Sequence, residues 1–127
     1  MVGGGVKMEN REIKFRAWSY NRMYLWPELS KNYNMTHWLN DLNRGDETLK
    51  LMQYTGLKDK NDVEIYAGDL LQDEENMLWE VKYNIELAAY VVENMDIPGI
   101  RYLCNSLDMD HVGNIYDNPE LLEENQL

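Results

Sequence analysis

The chain has 127 residues, the length of one ordinary domain, with 44% hydrophobic residues, a mean hydropathy of −0.62 and a formal net charge of −11. Its longest apolar run is the six residues Leu87 to Val92, far short of a bilayer crossing, and its single cysteine, Cys104, rules out an internal disulfide and a four-thiolate zinc site. A charge this negative repels phosphate backbones, so direct nucleic-acid binding is disfavoured, since such affinity comes largely from Lys and Arg displacing counterions.

The charge is uneven along the chain. Residues 1–22 carry five Lys/Arg against two Glu, residues 23–72 five against eight, and residues 73–127 two against thirteen. Two arrangements follow from this polarity: the basic start lies against the acidic end within one fold, or copies associate basic face to acidic face. Residues 1–10, rich in glycine and without the charged start and long apolar region of a signal peptide, read as a disordered leader. A single domain is expected over residues 11–127. With one cysteine and no export signal, the expected compartment is a reducing cytoplasm.

In chain order, Glu12 to Trp18 alternates, with Ile13, Phe15 and Ala17 on one face and Lys14 and Arg16 on the other, the pattern of a half-buried strand. Ser19 to Arg22 reads as a turn and Met23 to Trp26 as the returning strand, which Pro27 ends or confines to an edge. Residues 28–48 are the least legible. Apolar residues at 35, 38, 39 and 42 fit a short helix capped by Asn34 or Thr36, or equally an irregular excursion with one helical turn.

Leu51 to Leu71 organises the chain as strand, polar reversal at Lys58 to Asp62, strand at Val63 to Ile65, and a sharp turn at Gly68-Asp69. Asp62 is among the few non-glycine types that tolerate a left-handed backbone, and Asp69 can hydrogen-bond the turn it helps to form. Asp73 to Asn76 is a polar hairpin tip. Met77 to Tyr83 alternates strongly, Leu87 to Glu93 reads as its hairpin partner, Ile100 to Cys104 as a further strand, and Val112 to Tyr116 as the last. Asn118-Pro119-Glu120 opens a short terminal helix, with asparagine at the cap and proline in the first position. Seven or eight short strands with little helix predict a mainly-β barrel or sandwich with a small helical addition.

Three ordered blocks resemble the YopX family, small proteins found mainly in phages and prophages. They are Arg11 to Trp18, then Leu51 to Asp59 with Glu64 to Asp69, then Gly113 to Leu121. Residues 28–48 match no part of that pattern. The resemblance implies a small SH3-like barrel with an N-terminal hairpin and a short C-terminal helix, and it implies no reaction, cofactor or catalytic residue. The family reversal usually places glycine after the asparagine. Asp62 stands there in this chain, at a cost of about 1 kcal/mol if the backbone is left-handed.

Candidate chemistry is sparse. Asp108-Met109-Asp110-His111 and Asp73-Glu74-Glu75 contain metal-ligating types, but hard cations need several oxygens from more than one segment, and the preferred reading is solvated loops. Cys104 with His37 or His111 contains the residue types of a nucleophilic pair, but nothing in the sequence places them together. The aromatics Trp18, Tyr20, Tyr24, Trp26, Tyr33 and Trp38 crowd the first third, more than a small barrel can bury. Tyr24, Trp26, Tyr33, His37 and Trp38 are therefore the expected partner-binding residues, because tryptophan and tyrosine dominate interaction surfaces. The expected function is that of a non-enzymatic phage or prophage accessory protein that binds a host or phage protein, needs no cofactor or metal, and forms a homo-oligomer. The alternatives are a sponge for a small molecule or nucleotide signal, with its pocket between barrels of an oligomer, and a metal-dependent hydrolase.

Overall fold

The computed structural model describes residues 12–29, 40, 44, 49–94 and 96–125. The leader at 1–10 and most of the excursion expected over 28–48 lie outside the described residues. Within that excursion the Arg44 amide donates to the Asn40 carbonyl at 3.1 Å, one helical turn.

The elements are β1 (Phe15–Ser19), β2 (Arg22–Tyr24), α1 (Trp26–Leu29), β3 (Leu49–Lys58), β4 (Glu64–Tyr66), β5 (Asp69–Gln72), β6 (Leu78–Asn84), β7 (Ala89–Asn94), β8 (Ile100–Tyr102), β9 (Asp110–Asn114) and α2 (Pro119–Asn125), with a 3-10 turn at Leu103–Asn105. They build two antiparallel sheets, ordered β2-β1-β3-β4 and β8-β7-β6-β5-β9. The result is a mainly-β, barrel-like fold with an N-terminal hairpin and a short C-terminal helix, as the sequence and the resemblance lead one to expect.

Local chemistry sets most boundaries. Tyr20 and Asn21 take positive φ of 49° and 65°, which turns β1 tightly into β2. Pro27 sits in the single turn α1 directly after the edge strand β2. At the reversal after β3, Asp59 Oδ1 accepts the amides of Asn61 and Val63 at 2.8 and 2.9 Å, and Asp62 takes φ of 66°. Asp73 closes the β5–β6 hairpin by accepting the amides of Glu75 and Met77 and the Trp79 indole N–H at 2.9 to 3.0 Å. Gly113 has φ of 155°, and a Cβ there would lie 2.4 Å from Asn118 Oδ1, the oxygen that accepts the Asn114 amide. The C-terminal signature is thus a hydrogen-bonded knot that starts α2.

Two expectations change. β1 is buried on both faces: Ala17 is fully buried, and Arg16 on the opposite face is also buried, through an ion pair with Asp69. Leu87 is not in a strand. The hairpin turn spans 85–88, held by Asn84 Oδ1 accepting the Leu87 amide at 2.9 Å, so β7 begins at Ala89.

The largest core cluster gathers Ile65, Leu71, Trp79, Val81, Val92, Leu103 and Met109. A second packs Phe15, Tyr24, Trp26 and Leu51 around Ala17, Leu29 and Leu49. The sheets meet at Ala67-Gly68, where the Ala67 amide donates to Gln53 of β3 while Gly68 donates to Val81 of β6 and accepts from Ile115. Next to this joint the Asp69 carboxylate, with no exposure, pairs with the Arg16 guanidinium and accepts the Tyr66 amide at 2.8 Å. His111 Nε2 of β9 lies 2.8 Å from Asp69 Oδ2, near enough to pair when protonated but not aligned for a hydrogen bond. The Arg16 guanidinium also stacks 4.5 Å from the centre of the Tyr66 ring.

Removing one member of a buried pair strands the other charge. Asp69→Ala is expected to cost about 3–5 kcal/mol in urea unfolding, and the apolar double variant Arg16→Met/Asp69→Leu to lose less than that single change. Asp62→Gly is expected to raise the unfolding free energy by up to about 1 kcal/mol with an unchanged m-value, since glycine takes the same φ without strain.

Candidate functional site

A cleft between the two sheets combines apolar walls with polar groups. One end, of about 330 Å³, is lined by Phe15, Leu51, Gln53, Ala67, Tyr83 and Tyr90. An adjoining hollow of about 320 Å³ shares Leu51, Ala67 and Tyr83 and adds Met52, Glu80, Lys82, Ile115 and Tyr116. β3 supplies one wall and β6 the other, and the small residues Ala67 and Gly68 keep the joint between them low. A Cβ at Gly68, whose φ is 94°, would press to 3.3 Å on Met52 Sδ.

Tyr83 and Tyr90 are a cross-strand pair packed edge to face, with ring centres 5.2 Å apart. Tyr83 is nevertheless 54% exposed, and the hairpin tip beyond it presents Ile85 at 84% and Leu87. At the other end Tyr116 stacks on Trp18 at 6.3 Å. Tyr83 thus stands between the cleft and the exposed apolar residues of the hairpin tip, and such exposure needs an explanation.

Glu80 is the charged group held half-buried in the cleft. Burial pushes its carboxyl above the ordinary glutamate value; Glu93 directly opposite adds to this and Lys82 opposes it. Burial likewise pushes up the Tyr116 hydroxyl, with Glu80 adding to the effect. Lys82 Nζ is itself engaged by Glu93 Oε1 at 3.2 Å.

Of the partner-binding residues expected from the sequence, Tyr33, His37 and Trp38 lie outside the described residues. Tyr24 and Trp26 are half-buried against Ala17, Leu29 and Leu49, and Arg22 stacks 4.1 Å from the centre of the Tyr24 ring. Trp26 reaches the cleft only through Phe15, ring centre to ring centre 6.0 Å. Tyr83 of β6 and the apolar hairpin tip beyond it are an exposed region that sequence reasoning did not single out. The usable signal was Tyr83-Asn84-Ile85-Glu86-Leu87, where apolar residues continue to alternate past a turn-forming asparagine.

The other candidates are dispersed. Asp110 turns to Lys60 at 3.0 Å, while its neighbour His111 turns inward to Asp69, as alternate strand residues must. Asp108 joins Asp73, Glu74 and Glu75 around a separate hollow of about 250 Å³ with Arg101, which itself stacks 4.3 Å from the centre of a Trp79 ring. Among the described residues, no group of three or more His, Cys, Asp or Glu is placed to hold a metal ion. Cys104 is exposed, its Sγ 3.9 Å from Asn105 Oδ1. Among the described residues, the basic groups of the start pair with carboxylates before residue 73: Lys14 with Glu64, Arg16 with Asp69 and Arg22 with Glu28.

Because its carboxyl is raised in the folded state, Glu80 is protonated more readily there than in the unfolded chain. Its contribution to stability is therefore greatest below the unfolded pKa and is lost as pH rises through the folded one. Glu80→Gln is expected to melt higher than the parent at neutral pH and at the same temperature near about pH 3, where both carry an uncharged side chain.

A family model described as YopX protein matches residues 14–123. The crystal structure of protein EF1440 from Enterococcus faecalis is similar, with a TM-score of 0.57 and 24% sequence identity over 87% of this chain and 98% of that chain, a likeness of fold. No curated protein matches the chain. With the three sequence blocks, the two-sheet barrel-like fold and a family match that spans nearly all the described residues, this chain belongs to the YopX family.

Proposed function

We propose that the protein is a non-enzymatic accessory protein of a phage or prophage that acts in the bacterial cytoplasm by binding a protein partner, host or viral, and inhibiting or modulating it. The observation that carries this reading is the apolar surface formed by the cleft and by Tyr83, Ile85 and Leu87 on a body of charge −11. Exposed aromatic anchors are the groups on which interfaces most depend. A strongly negative body steers towards a basic face and away from competing anionic surfaces, including nucleic acid. None of the helices among the described residues is long and apolar enough to cross a membrane.

A second reading is favoured by size: about 330 Å³ lies at the lower limit of small-molecule sites. Its lining suits an apolar or aromatic ligand better than a nucleotide, because the cleft's lysine is already engaged by Glu93. Self-association into a homo-oligomer fits the same exposed surface and is the reading against which sedimentation discriminates.

The test is affinity capture from host lysate at low salt with the parent chain and with Tyr83→Ser/Ile85→Ser. These changes lie on exposed side chains, so the fold is expected to be retained. A captured species that falls about tenfold or more with the double variant, and that also falls as salt screens the charges, supports the reading. Equal capture by both chains overturns it.

A further inference from the structure

We infer that the cleft is built to receive an arginine or lysine of the partner polypeptide together with an apolar neighbour, the basic group meeting Glu80 and the neighbour packing on Tyr83 and Phe15. This rests on the protein-binding reading above and deepens it by naming the chemistry of the bound segment.

The first ground is the state of Glu80. Glu80 lines the hollow, and its carboxylate makes no hydrogen bond and no ion pair with any described residue. Glu93 stands directly opposite across the strand pair, a like-charge juxtaposition that is unfavourable by itself. Lys82, two residues along, pairs with Glu93 and acts on Glu80 only through space, without bonding its carboxylate. A half-desolvated carboxylate in this condition is destabilising to the free protein, and burial accordingly holds its proton more tightly than usual. An incoming cation removes that penalty.

The second ground is what surrounds it. Tyr116 lines the same hollow, near enough for the Glu80 charge to act on its hydroxyl, and ring faces attract a guanidinium or ammonium. A guanidinium is planar, weakly hydrated and able both to stack and to pair, so arginine fits best. Beyond Tyr83 the lining turns apolar, with Phe15, Leu51 and Tyr90, which suits a neighbouring apolar side chain. An anionic ligand is repelled by Glu80. A divalent ion is poorly served, because a hard cation needs six or more oxygens and the hollow offers one carboxylate.

The experiment uses the full chain and two blocked dipeptides, acetyl-Trp-Arg-amide and acetyl-Trp-Gln-amide, titrated by NMR with isotope-labelled protein up to about 10 mM, where weak single-residue contacts become measurable. The parent is expected to bind the arginine dipeptide about fivefold or more tightly than the glutamine one, with shifts confined to β6, Ala67-Gly68 and Tyr116. Glu80→Gln, whose spectrum and melting temperature report its folding directly, should remove that preference while leaving the glutamine dipeptide unchanged. Tyr83→Ser should weaken both.

Equal binding of the two dipeptides by the parent, a preference that survives Glu80→Gln, shifts that map elsewhere, or no binding of either would each overturn the inference. If both dipeptides bind the cleft equally and both are lost with Tyr83→Ser, the cation assignment fails while the protein-binding reading stands. If sedimentation finds a dimer that Tyr83→Ser dissociates, a second copy is the occupant, and the inference fails on that ground.

Discussion

A carboxylate with no exposure has to be neutralised where it sits, and for Asp69 that requirement joins the two sheets. Arg16 reaches it from β1, the Tyr66 amide from the end of β4, and His111 from β9, so strands from both sheets converge on one side chain. Neither sheet could shift relative to the other without uncovering a charge in a dry interior, which is far more costly than losing an apolar contact. The neighbouring hydrogen bonds of Ala67 and Gly68 fix the same joint through the backbone. Apolar packing supplies the bulk of the stability, but it is non-directional; the buried pair determines which face of β1 meets which edge of β5.

The cleft is a consequence of that joint. With Ala67 and Gly68 as the meeting point, β3 and β6 present Leu51 and Tyr83 to a shared space, and no large side chain rises between them. Gly68 is required there twice, by its φ of 94° and by the nearness of Met52. The residues that make the fold close are therefore also those that leave a surface open. The signature residues Tyr66 to Asp69 thus lie at the joint that both closes the fold and borders the cleft.

Much of this was legible in the sequence, for identifiable reasons. Period-two alternation in Met77 to Tyr83 marked β6, and turn chemistry at Tyr20-Asn21, Asp62 and Asp73 marked three reversals, because these depend on neighbours within a few residues. Asp69 was expected to serve its own turn, and it does so through the Tyr66 amide. Its ion pair with Arg16, 53 residues away, leaves no local trace, so β1 read as half-buried. The β6 surface went unnoticed for a related reason. Aromatic density pointed to the first third, but density does not say which rings are covered: Tyr24 and Trp26 pack around Leu29, while Tyr83, with fewer aromatic neighbours in sequence, is left open. The cleft itself combines β3 with β6, a juxtaposition that only the tertiary fold supplies.

Two desolvated carboxylates, Asp69 and Glu80, are treated in opposite ways, and the contrast separates structural from receptive chemistry. Asp69 has a guanidinium, an imidazole and an amide, and it has no exposure. Glu80 has none of these among the described residues, faces a second glutamate, and remains open to the cleft. If Glu80 served only packing, an uncharged side chain of similar shape would serve better, since no hydrogen bond or ion pair among the described residues holds its carboxylate. If it served only solubility, it would not need to be half-buried in a body whose charge is already −11. A carboxylate kept half-desolvated, unbonded and reachable is suited to a counter-ion from outside, and the Tyr116 ring beside it to a cation rather than to water.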